Sequence, residues 1–106
     1  MFEEIGPEDV AAWLAGGAAL IDVREEWEFV RGHVPGAVNV PMSEISRRME
    51  ELPDNVVLVC ATGSRSAHVA GYLTLNGYER VANLVGGTAG WVEAGFKIAV
   101  ESHVDR

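Results

Sequence analysis

The chain has 106 residues, 48% of them hydrophobic and 23% charged, the proportions of one ordinary globular domain over 1–106, which excludes disordered, collagen-like and coiled-coil chains. Sixteen acidic residues against eight basic ones give a net charge of −8, a balance that repels phosphate backbones and anionic lipid surfaces, so neither nucleic acid nor membrane is an expected partner. The single cysteine, Cys60, excludes an internal disulfide and any Cys-only metal cluster.

Strand and helix signals alternate along the chain. Residues 2–5 read as a short strand. Gly6-Pro7 with Glu8 and Asp9 opens a helix, because proline fits the first helical position and acids suit the positive N-terminus; Gly16-Gly17 ends it. Residues 18–23 form an apolar strand, and Asp22 and Glu25, three apart, have capping-box spacing for a short helix to Val30. Gly32 and Pro35-Gly36 mark a turn. Residues 38–40 are a second short strand stopped by Pro41, and Ser43 is placed to cap a helix through Arg47 and Met49 toward Leu52.

After a turn at Pro53-Asp54-Asn55, residues 56–59 are wholly apolar and mostly β-branched, the pattern of a central strand covered on both faces. From about Ser64, the residues Ala67, Val69, Ala70, Leu73 and Leu75 give a helix an apolar face, closed by Asn76-Gly77. Residues 80–85 are the last strand, Gly86-Gly87 a turn and residues 88–94 a short helix. Strands separated by helices predict an α/β fold with a parallel sheet. Ligands of such sheets collect beyond the carboxyl ends of the strands, where Cys60 stands. No apolar run approaches the roughly 20 residues of a membrane span, and Met1-Phe2-Glu3-Glu4 has neither a basic start nor an apolar segment behind it, so a cytoplasmic protein is expected.

The loop Cys60-Ala61-Thr62-Gly63-Ser64-Arg65-Ser66 leads from that strand into the next helix. Small side chains and Gly63 let successive backbone N–H groups turn toward one point. The helix adds the positive end of its dipole, about half an elementary charge, and Arg65 adds a full one. Each of these favours a thiolate at Cys60 over the free thiol, whose pKa is about 8.5. Cys60 is therefore the candidate nucleophile, and Ala61, Thr62, Gly63, Ser64 and Arg65 the candidate substrate-binding loop. The plainer alternative, a small buried hydrophobe ending a strand, leaves the following glycine and arginine without a role.

Three segments resemble the single-domain rhodaneses, a sulfurtransferase family. They are Asp22-Val23-Arg24-Glu25 with Glu28-Phe29 and Gly32-His33-Val34-Pro35-Gly36-Ala37-Val38-Asn39-Val40-Pro41; the loop from Cys60 to Ser66; and Leu84-Val85-Gly86-Gly87 with Trp91 and Gly95-Phe96. The resemblance runs from about Ile5 to Phe96. It implies a rhodanese-like three-layer α/β/α sandwich around a five-stranded parallel sheet, and ping-pong transfer of sulfane sulfur through a Cys60 persulfide. It further implies a small-molecule donor, thiosulfate or a persulfide, and a thiol or other nucleophilic acceptor such as glutathione, a thioredoxin-like protein or cyanide, with no cofactor. Ala61 and Thr62 stand where some thiosulfate enzymes of the family carry basic residues.

Cysteine phosphatases of related fold also set a cysteine and an arginine around a strand-to-helix cradle, but with five residues between them where this chain has four. An arsenate reductase needs further cysteines, and a non-catalytic rhodanese-like interaction module commonly lacks the one present. With one cysteine and three scattered histidines no metal site is expected; His33, in a Pro-Gly turn, is expected to tie down backbone, and His68 falls one turn into a helix. Asp22 and Arg24 are expected to brace the active-site face. Residues 86–90 lack dinucleotide-binding G-x-G-x-x-G spacing and read as a tight turn beside the pocket. Trp13, Trp27 and Trp91 are expected in the core or pocket wall, and Glu25, Glu26 and Glu28 on a solvated helix face.

Overall fold

A computed structural model describes residues 1–100. Strands β1 (Glu3–Ile5), β2 (Ala19–Asp22), β3 (Val38–Asn39), β4 (Asn55–Val59) and β5 (Arg80–Leu84) form one sheet in the order β1-β5-β4-β2-β3, with every pairing parallel. Helices α1 (Val10–Ala15), α2 (Glu26–Phe29), α3 (Ser64–Leu75) and α4 (Gly87–Glu93) lie in the crossover and terminal segments that parallel strands require. This is the parallel α/β architecture that the sequence pattern predicts, with the five-stranded sheet that the family resemblance implies.

β4 is central because both of its faces are apolar. Side chains alternate along a strand, so Val56 and Leu58 face one way and Val57 and Val59 the other, all 0% exposed. Val56, Leu58 and Cys60 pack with Val69, Ala70 and Leu73 of α3 and with Ile45 and Leu52. Val57 and Val59 pack with Val10 and Trp13 of α1, Leu84 of β5 and Trp91 of α4. The same alternation decides that the Cys60 side chain lies on the α3 side. The chain leaves β2 toward one edge of the sheet and β4 toward the other, so the loops after these neighbouring strands diverge and open a crevice at their carboxyl ends.

The segment after β2 departs from the sequence expectation. Asp22 does not cap α2, because its carboxylate is committed to a buried guanidinium. Arg24 Nη2 lies 2.8 Å from Asp22 Oδ2 and its Nε 3.0 Å from Oδ1, and Nη2 also donates to the Gly32 carbonyl at 2.7 Å. A charge removed from water requires such a partner. Glu25 takes the N-cap position, and its N–H donates to Glu28 Oε1 at 3.0 Å. Asn39 Nδ2 donates to the Asp22 and Arg24 carbonyls, at 3.0 and 2.8 Å, and so ties β3 to this turn.

Two further expectations are corrected. The single helix predicted from Ser43 toward Leu52 is replaced by 3-10 turns at Met42–Glu44 and Met49–Glu51. A 3-10 turn rises about 2.0 Å per residue against 1.5 Å for an α-helix, which lets the eleven residues between Pro41 and Pro53 reach from β3 back to the start of β4. Trp27 is 62% exposed, with the Arg31 guanidinium 5.6 Å from its ring. In a four-residue helix that buries Phe29, a residue two positions earlier points about 200° away, toward solvent. Trp13 and Trp91 do pack against the core.

Asp22→Ala leaves the buried Arg24 charge unpaired and is expected to destabilise the fold by about 3–5 kcal/mol, measured by urea unfolding. A double replacement of Asp22 and Arg24 by apolar residues of similar volume is expected to cost clearly less than Asp22→Ala alone.

Candidate active site

The loop after β4 is shaped by the other end of the chain. Thr88 donates to the Cys60 carbonyl from its N–H (2.8 Å) and its Oγ1 (3.1 Å), and the Ala89 N–H donates to the Ala61 carbonyl at 3.0 Å. Across a planar trans peptide the N–H points opposite to the C=O. Anchoring these two carbonyls on α4 therefore turns the N–H groups of Ala61 and Thr62 away from α4. Gly63 then reverses the chain at φ +106°, a conformation open to glycine at no steric cost. Close approach also requires Gly87: at φ +60°, a Cβ there would lie 2.6 Å from the Ala61 carbonyl carbon and oxygen.

Three donors converge on Cys60 Sγ: the Gly63 N–H at 3.1 Å, the Ser66 N–H at 3.3 Å and the Ser66 hydroxyl at 3.3 Å. The residue is 1% exposed. Burial pushes its pKa up, but the Ser66 hydroxyl and the N–H groups of Ser66, Gly63 and Thr62 together bring it below the ordinary value. Fixed dipoles aimed at a sulfur out of contact with water favour its anion more strongly than solvent-exposed ones do.

Arg65 takes a different role from the one its sequence position implies. Its Nη1 and Nη2 are both spent on Glu28, at 2.8 and 2.9 Å from Oε1 and Oε2, so the guanidinium stands at the rim and not over the thiol. Arg65 holds the Glu28 carboxyl down at about 2, helped by the Glu25 N–H against the upward push of burial, and Glu28 in turn raises the Arg65 pKa. Glu28 therefore leaves the solvated face expected for it, because α2 brings it within reach of a cation on α3. Ala61 is half-buried, while Thr62 and Ser64 are exposed at the mouth. Beside the mouth, Met42, Ser64, Arg65 and His68 line a shallow hollow.

His33 does bind backbone. Its Nδ1 lies 2.8 Å from the Phe29 carbonyl, its ring stacks on Phe29 at 3.8 Å, and its main chain pairs with Ala99. Asp22 and Arg24 bond to each other and to neighbouring backbone. Residues 86–90 lie beside the loop, as the sequence reading has them, but the sequence pattern does not reveal that Thr88 holds the Cys60 carbonyl, nor does it reveal Glu28 or Asn83, which bonds Ser66 at 2.5 Å, as neighbours of the loop. A signal for Asn83 exists, since it is the one amide within the run Val81-Ala82-Asn83-Leu84. Among the described residues, no three His, Cys, Asp or Glu side chains converge to hold a metal ion, and no helix is long and apolar enough to cross a membrane.

Residues 6–94 match the family model described as rhodanese-like domain. The chain is 38% identical over 102 residues to a sulfurtransferase of Allochromatium vinosum, covering 92% of this chain and 95% of that one. It is 33% identical over 96 residues to the thiosulfate sulfurtransferase GlpE of Haemophilus influenzae, covering 88% and 90%. Among solved structures, a rhodanese-related protein of Thermoplasma volcanium superposes with a TM-score of 0.83 at 28% identity, covering 93% of this chain and 99% of that one.

The Glu28–Arg65 pair has a defined pH signature. A carboxyl whose pKa falls from 4.5 to about 2 on folding contributes stability that is present above pH 4.5 and lost as pH falls toward 2, because the unfolded chain binds the proton first. Urea unfolding of the wild type and Glu28→Gln is expected to show a stability difference above pH 4.5 that closes on acidification through this window. A difference constant across it would show that the pair carries none of this stability.

Proposed function

The chain belongs to the rhodanese-like family, and we propose that it is a sulfurtransferase that carries sulfane sulfur on Cys60 from a donor, thiosulfate or a persulfide, to a thiol or other nucleophilic acceptor. The observation that carries this is the convergence of three protein donors on the sulfur of the single cysteine, at 3.1–3.3 Å. The Cys60 thiolate attacks the sulfane sulfur of the donor. An S–S bond forms, and the bond from that sulfur to the rest of the donor breaks. Sulfite or a thiolate departs with the electron pair and needs no strong general acid.

The product is a persulfide whose outer sulfur lies about 2.05 Å beyond Sγ, outward from a floor that is itself closed to solvent. The loop N–H groups and the N-terminal end of α3 stabilise its charge, an oxyanion-hole arrangement applied to sulfur. An acceptor such as glutathione or a thioredoxin-like protein then takes the outer sulfur, and the S–S electrons return to Cys60. A second cysteine is not required. Arg65 attracts anionic donors at the rim. Glu28 tempers that attraction, which favours a persulfide over dianionic thiosulfate and disfavours a phosphate ester.

Incubation with thiosulfate or a low-molecular-weight persulfide is expected to add about 32 Da, one sulfur atom, to the intact protein, and addition of a thiol to remove it. Cys60→Ser is expected to fold and to take up no sulfur. Failure of the wild type to form the adduct with any sulfane donor would remove the proposal. Arg65→Ala is expected to raise the KM for thiosulfate several-fold while Cys60 alkylation proceeds as before; unchanged thiosulfate kinetics would strip Arg65 of the steering role.

A further inference from the structure

Behind Cys60 lies a buried polar chain that the transfer steps leave unused. Asn83, 3% exposed on β5, sits directly opposite Glu4 of β1 and opposite Leu58 of β4 in the strand register. Its Nδ2 donates to the Gly63 carbonyl at 3.3 Å and to Glu4 Oε1 at 3.2 Å. Both neighbours of that nitrogen are obligate acceptors, so the amide has one satisfied orientation, with Oδ1 turned inward. Oδ1 then lies 2.5 Å from Ser66 Oγ. Ser66, fully buried, faces three acceptors with one proton: Asn83 Oδ1, Cys60 Sγ at 3.3 Å and the Gly63 carbonyl at 3.3 Å.

We propose that Asn83 is a positioning residue that competes with Cys60 for the Ser66 proton, and so sets how readily the cysteine ionises. With Cys60 as a thiol, S–H donates to Ser66 Oγ and Ser66 donates to Asn83 Oδ1, a chain with every proton placed. When the thiol proton leaves, Ser66 turns its hydroxyl to the thiolate and Asn83 Oδ1 loses its donor. Asn83 thus favours the neutral thiol, opposing the N–H groups of Gly63 and Ser66. The consequence for turnover rests on the function proposed above. In the persulfide the charge lies on the outer sulfur and Ser66 is free to serve Asn83; as the acceptor takes that sulfur and the S–S electrons return to Sγ, the hydroxyl swings back to the charge as it develops.

Among the described residues, the other charged and titratable groups around the thiol are already paired or lie farther out. Arg65 of α3 is held by Glu28 of α2, and Asp22 at the end of β2 by Arg24. Glu4 of β1 bonds the outer end of Asn83, and His68 is exposed one turn beyond Ser64. Thr88 of α4 is bonded to the Cys60 carbonyl and does not titrate.

The test is the pH dependence of Cys60 alkylation by iodoacetamide in the reduced protein with no sulfur donor present, so that it stands or falls separately from sulfur transfer. Asn83→Leu is expected to lower the midpoint and raise the thiolate fraction below it about tenfold, the equivalent of one hydrogen bond. Asn83→Asp, which keeps the acceptor and adds a negative charge, is expected to raise the midpoint. In a Ser66→Ala background the Asn83→Leu effect is expected to vanish. A merely structural role would move both Asn83 variants the same way. The proposal is overturned by an unchanged or raised midpoint in folded Asn83→Leu, or by an equal shift when Ser66 is absent; Asn83→Ala, read in parallel with folding checked by urea unfolding, supplies the answer if leucine does not fit.

Discussion

The site depends on where two carbonyl groups point. Cys60 and Ala61 follow directly on the central strand, and were the strand to continue through them their C=O and N–H groups would alternate in direction and offer a ligand no consistent sign of charge. Thr88 and Ala89 take both carbonyls onto the first turn of α4. That single anchoring leaves amide hydrogens on the other side, where the Gly63 N–H meets the sulfur, and the left-handed turn at Gly63 leads the chain round so that the Ser66 N–H meets it too. The approach is possible because residue 87 has no Cβ. The loop is therefore as much a product of Gly86-Gly87 and the first turn of α4 as of its own sequence.

This anchoring explains how a chain of net charge −8 can favour a thiolate at a buried cysteine. The positive potential at Sγ comes from backbone dipoles and one hydroxyl, groups that add nothing to net charge and need no counter-ion. Arg24 and Arg65 are each given a carboxylate: Arg24 has Asp22, and Arg65 has Glu28. Arg24 is buried, and its pair with Asp22 holds the turn after β2, which forms the opposite wall of the crevice. Arg65 is at the rim, where its pair links α2 to α3. Full charges brace the walls and partial charges line the floor, so the field at the sulfur is local and is little altered by the acidic surface.

Much of this was legible in the residues. The all-apolar run of residues 56–59 identified the central strand, and the lone cysteine followed by Gly63 identified the cradle, because glycine at a strand-to-helix turn has few other reasons to be there. Non-local partnerships were not legible. Glu25, Glu26 and Glu28 have the same local pattern, and only the approach of α3 singles out Glu28. Asp22 with Glu25 met the capping-box spacing, but a buried guanidinium two residues away outcompeted a helix N-terminus for the carboxylate. The 42–52 segment carried a helical pattern of apolar residues and still formed separate 3-10 turns, since the distance it must span between β3 and β4 is set by the sheet. Asn83 was legible only as an anomaly, one amide in an apolar strand; its meaning required knowing that Ser66 lies 2.5 Å away.

A sulfur carrier has to bind its cargo without becoming a sink for it, and the placement of donors bears on that balance. On the function proposed above, the charge in the empty state is at Sγ; in the loaded persulfide it lies one S–S bond, about 2.05 Å, farther out. Donors fixed on Sγ, the Gly63 and Ser66 N–H groups, stabilise the empty thiolate and so favour discharge. The dipole of α3 acts over a longer range and favours the loaded form. A cradle with every donor crowded onto Sγ would give up sulfur readily and load poorly, whereas one with every donor at the mouth would load and hold. Donors fixed on Sγ together with a helix dipole that reaches farther bring the two proposed states closer in energy, which is what ping-pong exchange between donors and acceptors of similar sulfur affinity requires.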